Sequence, residues 1–498
     1  MKKKIAAMLA SEKSIKIILC LVVFAVSYFT YFRNYENPRA PFWDENYHIA
    51  SAQKYLDGVM FMEPHPPLGK LFIALGEYIL KPNKQLDTSS FDHTDFLKND
   101  DIPEGYSWRG VRLFPALFGW LGAVVFFLIL FEISRNYLTA FSFTSLYVFE
   151  NSFVIQSRGA LLDSTQIFFM LLSILYFLIL FKKDNPKKTH YLVFGIITGL
   201  SIAVKLNSAI LILLLPFLLY HEERFKAAKT REMFLGLRNI LIEGIVFTLG
   251  VLFVFSSTYY VHFVIGKKII DDRIYGASEK YQDIVRDGKE YLPSSFPRMM
   301  AENLLYSKTY EANVPAYDGC KPEENGSLPL GWPFGNKSIN YRWAKTAETA
   351  RYLYFQGNPV IWASGLLSVV LSFTLILSVA VFKLSTKNRR LFYLILTFSM
   401  LYISYMSVMY ETARVMYLYH YLIPLIFSLL MLYMLFHYIF EGKIRGEDVQ
   451  LLRGMTIFIA ITVVVFIFFA PLTYYMPLTP HEFQLRQWFD FWKLKSVM

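Results

Sequence analysis

Apolar residues in this chain do not alternate with polar ones as in half-buried strands. They gather in runs of about 17 to 25 positions separated by charged stretches, the length an α-helix needs to cross a hydrocarbon layer. The other spanning architecture, a closed barrel, uses strands of only about 9 to 11 residues, so these runs are too long for it. About eleven spans can be marked, at residues 16–32, 113–133, 137–155, 161–181, 190–204, 207–220, 240–264, 359–382, 391–409, 420–440 and 455–471. The fifth and sixth are short and divided by Lys205 and Asn207, so they read equally as a broken pair dipping from one side. The pattern predicts an all-α polytopic membrane protein.

Loop charge sets the orientation. Lys2 to Lys4 with Lys13, then Lys182, Lys183, Lys187 and Lys188, Arg224 to Arg238, Lys383 to Arg390, and Lys443 to Arg453 all fall on one side, which the positive-inside bias makes cytoplasmic. The start of the chain looks like a signal peptide, but the Ile17 to Phe32 run is long and no small-residue cleavage site follows it, so it reads as an uncleaved first span. Two outward loops are long, 33–112 and 265–358, and they divide the chain into a transmembrane region at 1–264, an outward domain at 265–358, and a transmembrane region with an outward tail at 359–498. In the first loop, Leu68, Leu71, Phe72, Leu75 and Ile79 recur at helical spacing with Lys70 and Glu77 off the stripe, predicting a helix along the membrane surface. The second loop is rich in turn residues, as in Leu328 to Gly335, and its Asn325 and Asn336 triplets fit glycosylation sequons of little weight.

Composition sharpens this picture. Apolar types make up 55% of the 498 residues and charged types 18%, below the roughly one quarter of a soluble domain. The net charge of +11 would invite a nucleic-acid reading in a soluble protein, but here it reports topology. Cys20 lies inside the first run and Cys320 in a long loop, so no disulfide framework is expected.

Four clusters could carry chemistry, all at outward boundaries. Asp44 and Glu45 follow the first span; successive helical side chains diverge by about 100 degrees, so two jobs are more plausible than one shared proton. The bland reading is a solvated loop end. Glu63 to Lys70 (Glu-Pro-His-Pro-Pro-Leu-Gly-Lys) makes a stiff corner in which His65 and Lys70 suit a phosphate, or a Pro-rich turn launching the amphipathic helix. Between the third and fourth spans stand Glu150, Asn151, Gln156, Arg158 and Asp163; an Arg–Asp pair there is either an interfacial salt bridge or the lining of a cavity, and the cavity is favoured. Glu411 to Pro424 is dense in tyrosine, most of it belt-like, with Arg414 as a phosphate candidate. Nine scattered histidines without HExxH or CxxC spacing give little support to a metal site, and no P-loop or dinucleotide fingerprint occurs.

Taken in this order, the clusters resemble the protein O-mannosyltransferase family, whose members carry an Asp-Glu pair after the first span and a His-Pro-Pro-Leu-Gly-Lys motif. The likeness extends to Gln156-Ser-Arg158 with Leu161-Leu-Asp163-Ser, to Gly357-Asn-Pro-Val-Ile-Trp362, and to Leu418-Tyr-His-Tyr-Leu-Ile-Pro424. It weakens in the middle spans and the second outward loop, which is too short for the β-trefoil (MIR) domain of eukaryotic relatives, so the chain looks like a compact bacterial member. The resemblance implies a GT-C glycosyltransferase fold in the inner membrane. It further implies an inverting transfer of mannose from a polyprenyl-phosphate donor to Ser or Thr of exported proteins, with no metal or other cofactor, no nucleic acid, and an association with secretion machinery. On that reading Asp44 is the general base and Glu45 orients the acceptor. Arg158, His65, Lys70 and Arg414 stabilise the departing phosphate, with Asp163, Tyr419 and His420 as further substrate contacts. The rivals are a same-fold transferase acting on lipid A or an envelope glycan, like the aminoarabinose transferases, and, more remotely, a transporter.

Overall fold

The computed structural model describes residues 12–223, 230–270, 276–321 and 324–498. Lys2 to Lys4 and the beginning of the basic Arg224 to Arg238 stretch lie outside the described residues. In chain order the helices are α1 (Glu12–Ser27), α2 (Glu45–Asp57), α3 (Leu68–Leu80), α4 (Leu113–Ser134), α5 (Tyr137–Val148), α6 (Asn151–Ser157), α7 (Asp163–Phe181), α8 (Lys188–Ile202), α9 (Leu214–Glu223), α10 (Thr230–Ile265), α11 (Glu279–Arg286) and α12 (Phe296–Asn313). Strands β1 (Ile339–Lys345) and β2 (Ala350–Phe355) follow, then α13 (Pro359–Phe382), α14 (Arg389–Glu411), α15 (Leu422–Arg445), α16 (Val449–Thr473), β3 (Pro477–Leu478) and α17 (Pro480–Gln484).

Eight helices among the described residues are long and apolar enough to cross a membrane: Lys13–Phe32, Leu113–Ser134, Asp163–Phe181, Arg238–Ile265, Pro359–Phe382, Arg389–Glu411, Leu418–Arg445 and Val449–Thr473. The other three expected spans fall on shorter pieces, each interrupted by polar residues. The run at 137–155 breaks at Phe149 and Glu150 into α5 and α6, because Glu150 leaves the helix to cap α6 through Ser152. The runs at 190–204 and 207–220 become α8, a 3₁₀ segment at Leu206–Leu213, and α9, with Lys205 extended in the break.

Close packing holds the bundle. α8 and α10 approach through glycine: a Cβ on Gly195 would strike the Phe247 carbonyl and one on Gly250 the Leu192 carbonyl, so both positions require small residues. α15 is the central helix, buried on nearly every side, and Ser368 of α13 donates to its Ser428 carbonyl at 2.6 Å. α3 turns its polar residues inward, packs Leu68, Leu71 and Phe72 of its apolar stripe against the core and leaves the rest of the stripe outside. Lys70 and Glu77 are buried while Leu75 and Ile79 are exposed, the inversion expected where the outer surface meets lipid rather than water.

On the same end as α2 and α3, β1 and β2 form an antiparallel hairpin with an irregularity between Asn340 and Arg342, and β3 from the C-terminal tail adds to β2. The long 265–358 segment and the C-terminal tail therefore share one small sheet. α12 reaches under the first outward loop, where Asn303 accepts from Glu63 N at 3.2 Å and donates to Glu63 O at 2.8 Å, and Ser307 donates to Pro64 O at 2.5 Å. These contacts clamp the stiff Pro-His-Pro-Pro corner.

Candidate active site

Asp44 ends an irregular segment and begins α2. An Asp at that position usually bonds the free amides of the first turn, but the Asp44 backbone is itself helical, at φ −76° and ψ 0°, and its side chain makes no cap. Trp43 before it is held at φ +50°, a left-handed conformation costly for a bulky residue, which turns the chain as it enters the helix. The Asp44 carboxylate has no hydrogen-bond partner among the described residues. It is half-buried, and burial raises its pKa from 3.8 to about 6; Lys205 pulls it down, Asp163 pushes it up, and Lys70 and Arg414 pull it down more weakly.

The cations around it are held in pairs. Lys205, in the break after α8, lies 2.7 Å from Asp163, whose other oxygen accepts from Gln156 at 2.7 Å; Gln156 in turn accepts from Tyr341 of β1 at 2.7 Å. Lys205 also sits 5.3 Å from the ring centre of Tyr419. Lys70 donates to Glu63 at 2.7 Å and Ser51 at 3.0 Å, and Gly69 beside it packs so close to Leu162 that a Cβ would clash at 2.7 Å. Arg414 pairs with Glu311 of α12 at 2.7 Å, at the partly exposed rim.

His65 lies within the electrostatic reach of Lys70, Lys205, His48 and Arg414. Burial, and then those charges, push its pKa well below the usual 6.5, so at neutral pH it is an uncharged hydrogen-bonding group rather than the cation its motif allowed. His48 is lowered to about 3 by burial first and Lys70 next, and its Nδ1 lies 2.9 Å from the Ala160 carbonyl.

Aromatic rings wall the site. Trp43 stacks on Tyr341 with centroids 5.0 Å apart and meets Tyr417 edge-on at 5.3 Å, while its buried indole nitrogen has no hydrogen-bond partner among the described residues. Tyr419 stacks on His420 at 4.4 Å, and His420 lies against Trp332 at 6.0 Å.

Two expected site residues stand elsewhere. Glu45 is fully buried and cannot orient an acceptor. Its carboxylate takes Nε and Nη2 of Arg112 at 2.7 and 2.8 Å, the amide of Ala160 at 2.6 Å and that of Phe42 at 3.1 Å. Arg112 spends its remaining donors on the carbonyls of Glu36, Pro38 and Ala40, so all five N–H groups are occupied. Arg158, expected at the phosphate, is spent on the backbone instead: it donates to Arg33 O at 2.8 Å and Asn34 O at 2.5 Å, with Tyr474 beneath it at 5.0 Å. It closes the end of the first span, where a short π-turn at Tyr28–Phe32 leaves carbonyls to satisfy.

Other motif residues are also structural. Glu150 accepts from Ser152, Asn358 and Trp362, tying the start of α6 to that of α13. Lys205 and Arg112 were not singled out from the sequence. For Lys205 the signal was present, since an ionisable residue between two apolar runs is a functional candidate by default. No three described His, Cys, Asp or Glu side chains gather as a group that could hold a metal ion.

Comparison with known proteins agrees with this architecture. Residues 21–265 match the family described as dolichyl-phosphate-mannose-protein mannosyltransferase, and residues 308–492 match the C-terminal four-span region of protein O-mannosyltransferases. Protein O-mannosyl-transferase 1 of Danio rerio is 27% identical over 252 residues, 49% of this chain and 34% of that protein. Dolichyl-phosphate-mannose–protein mannosyltransferase 4 of Schizosaccharomyces pombe is 32% identical over 184 residues, 35% of this chain and 22% of that protein. The matched region thus spans about a third or less of the length of these curated relatives. A chain of the Saccharomyces cerevisiae protein O-mannosyltransferase Pmt1-Pmt2 complex, solved with its sugar donor, superposes with a TM-score of 0.82 at 16% identity, covering 96% of this chain and 93% of that one. The fold is shared nearly end to end, and it is the all-α polytopic membrane architecture expected from the sequence.

Proposed function

The chain belongs to the protein O-mannosyltransferase family, and from that premise we propose that it transfers mannose from a polyprenyl-phosphate donor to Ser or Thr hydroxyls of exported proteins. The observation that carries the reading is the Asp44 carboxylate: unpartnered, raised to about 6, and set among paired cations and aromatic walls at one end of a membrane bundle. A carboxylate with that pKa is ionised at neutral pH yet basic enough to take a proton from an attacking hydroxyl. In one displacement the hydroxyl oxygen bonds the anomeric carbon, the bond from that carbon to the phosphate oxygen breaks, and Asp44 accepts the hydroxyl proton; the configuration inverts.

The transition state is oxocarbenium-like by analogy with glycoside hydrolysis, but phosphate departs without needing a protonating acid. Positive charge serves instead. Lys205, Lys70 and Arg414 supply it, each held by an acid at 2.7 Å so that it needs no reorganisation as charge develops. His65, neutral, contributes a hydrogen bond, and Asp163 keeps Lys205 in place. The Trp43 indole N–H and the Tyr419–His420 stack offer a donor and a flat face to the sugar. The clustering of basic loops supports a cytoplasmic assignment for the opposite end of the bundle and an outer-face assignment for this site, as a bacterial inner membrane would require. An acceptor still extended, as it leaves the export machinery, best threads a hydroxyl to a half-buried base.

The test is transfer from synthetic polyprenyl-phosphate mannose to Ser/Thr-rich peptides by the purified full-length chain, with and without EDTA, beside an Asp44→Asn control. Transfer that survives EDTA and disappears in the control supports the reading. Activity on a lipid or glycan acceptor alone would keep the fold and overturn the substrate.

A further inference from the structure

At the end of the bundle opposite Asp44, four cations from four different elements converge on one carboxylate. Glu132, in the last turn of α4, lies 2.8 Å from Nη2 of Arg135, 2.9 Å from Nζ of Lys182 at the end of α7, and 3.8 Å from Nζ of Lys16 in α1. Lys16 and Arg135 also cover the same Phe131 ring, at 5.1 and 5.2 Å from its centre. The fourth cation, Arg390 in the first turn of α14, lies within the electrostatic reach of Arg135, Lys182 and Glu132.

Arg390 is the informative member. Its Nε and Nη2 are closed off from solvent, and neither has a hydrogen-bond partner among the described residues. Two buried guanidinium N–H groups given no acceptor are costly, the more so beside two other cations, and they call for an acceptor from outside the described residues. An anion suits that role, because among the described residues Glu132 is the one carboxylate set against these four cations, and it must offer several oxygens to a planar fork, which a phosphate does. Its position indicates the source. The cluster stands where four helix ends meet the membrane boundary, and Val381 and Phe382, at the neighbouring end of α13, are exposed apolar residues that face lipid rather than water.

We infer that this cluster is a binding site for the phosphodiester of an anionic membrane lipid, which completes Arg390 and clamps α1, α4, α7 and α14 together. The site is separate from the transfer reaction and stands whether or not the proposed substrate is right.

The experiment reads thermal stability of the full chain in three settings: nanodiscs of phosphatidylcholine, nanodiscs containing phosphatidylglycerol, and detergent with inorganic phosphate. The wild type should melt about 2–4 °C higher with phosphatidylglycerol and gain nothing from inorganic phosphate. In Arg390→Gln that increment should vanish, while the melting temperature in phosphatidylcholine stays level or rises, since an unpaired and repelled cation has been removed. An equal gain from inorganic phosphate would overturn the lipid assignment. An increment preserved in Arg390→Gln would overturn the site. Native mass spectrometry of the wild type and Arg135→Gln, each incubated with phosphatidylglycerol, gives an independent reading: one fewer retained lipid in the variant supports the site, and equal retention overturns it.

Discussion

The cluster around Asp44 and the brace beside it, built on Glu45, Arg112 and Arg158, use the same side-chain types at neighbouring positions and treat them in opposite ways. In the cluster a carboxylate and a tryptophan N–H are left without a hydrogen-bond partner among the described residues. In the brace a carboxylate accepts four hydrogen bonds and a guanidinium gives away all five of its donors. The difference teaches that a charged motif at a membrane boundary is not by itself a site. Buried charges are tolerated when they are saturated, and saturation is what keeps the neighbouring unsaturated one in place.

The sharpest test sets the two adjacent acids against each other. Asp44→Asn should reduce transfer by about 100- to 10,000-fold and leave the melting temperature unchanged or higher. The sign follows from the raised pKa. Folding favours the protonated form, so stability is lost as pH rises from 3.8 toward about 6, and an uncharged Asn avoids that loss at neutral pH. Glu45→Ala should do the reverse of this on stability, costing about 3–5 kcal/mol because Arg112 is left buried and unpaired. Thermal unfolding of the two variants reads the contrast directly, and a Glu45→Ala protein as stable as the wild type would break it.

Arg158 sharpens the same comparison at smaller scale. Arg158→Lys keeps the charge but loses the planar fork that reaches two carbonyls, and should cost about 1–3 kcal/mol of stability with the donor KM unchanged. If Arg158 held the donor phosphate instead, the donor KM would rise while stability stayed level.

Much of this was legible in the chain. The long apolar runs, the amphipathic helix at Leu68–Leu80 and the Asp44 and His65–Lys70 motifs can be read from spacing and residue type, because each depends on local pattern. The direction in which a donor points cannot. Arg158 and Arg414 are equivalent as letters, yet one faces the carbonyls of a π-turn and the other Glu311 across a loop more than a hundred residues away in sequence. The broken spans at Glu150 and Lys205 were visible as polar interruptions, but only packing shows that the first is a structural hub and the second a cation beside the base. The β3 strand, two residues long, has no pattern to betray it.

The smallest and most diagnostic effect concerns the pH dependence of transfer. Asp44 must be ionised to accept a proton, so kcat/KM should fall as pH drops through about 6. Lys205 and Asp163 act on that carboxylate with opposite signs, the lysine lowering its pKa and the aspartate raising it. Lys205→Met should therefore move the acidic limb to higher pH, doubly so because Asp163 loses its partner, and Asp163→Asn should move it to lower pH as Lys205 is freed. Loss of a merely structural contact would lower activity at every pH without moving the limb. Limbs that stay put, or move the same way in both variants, would mean that the titrating base is not Asp44, and the distinction between the unsaturated cluster and the saturated brace would no longer explain which acid does the chemistry.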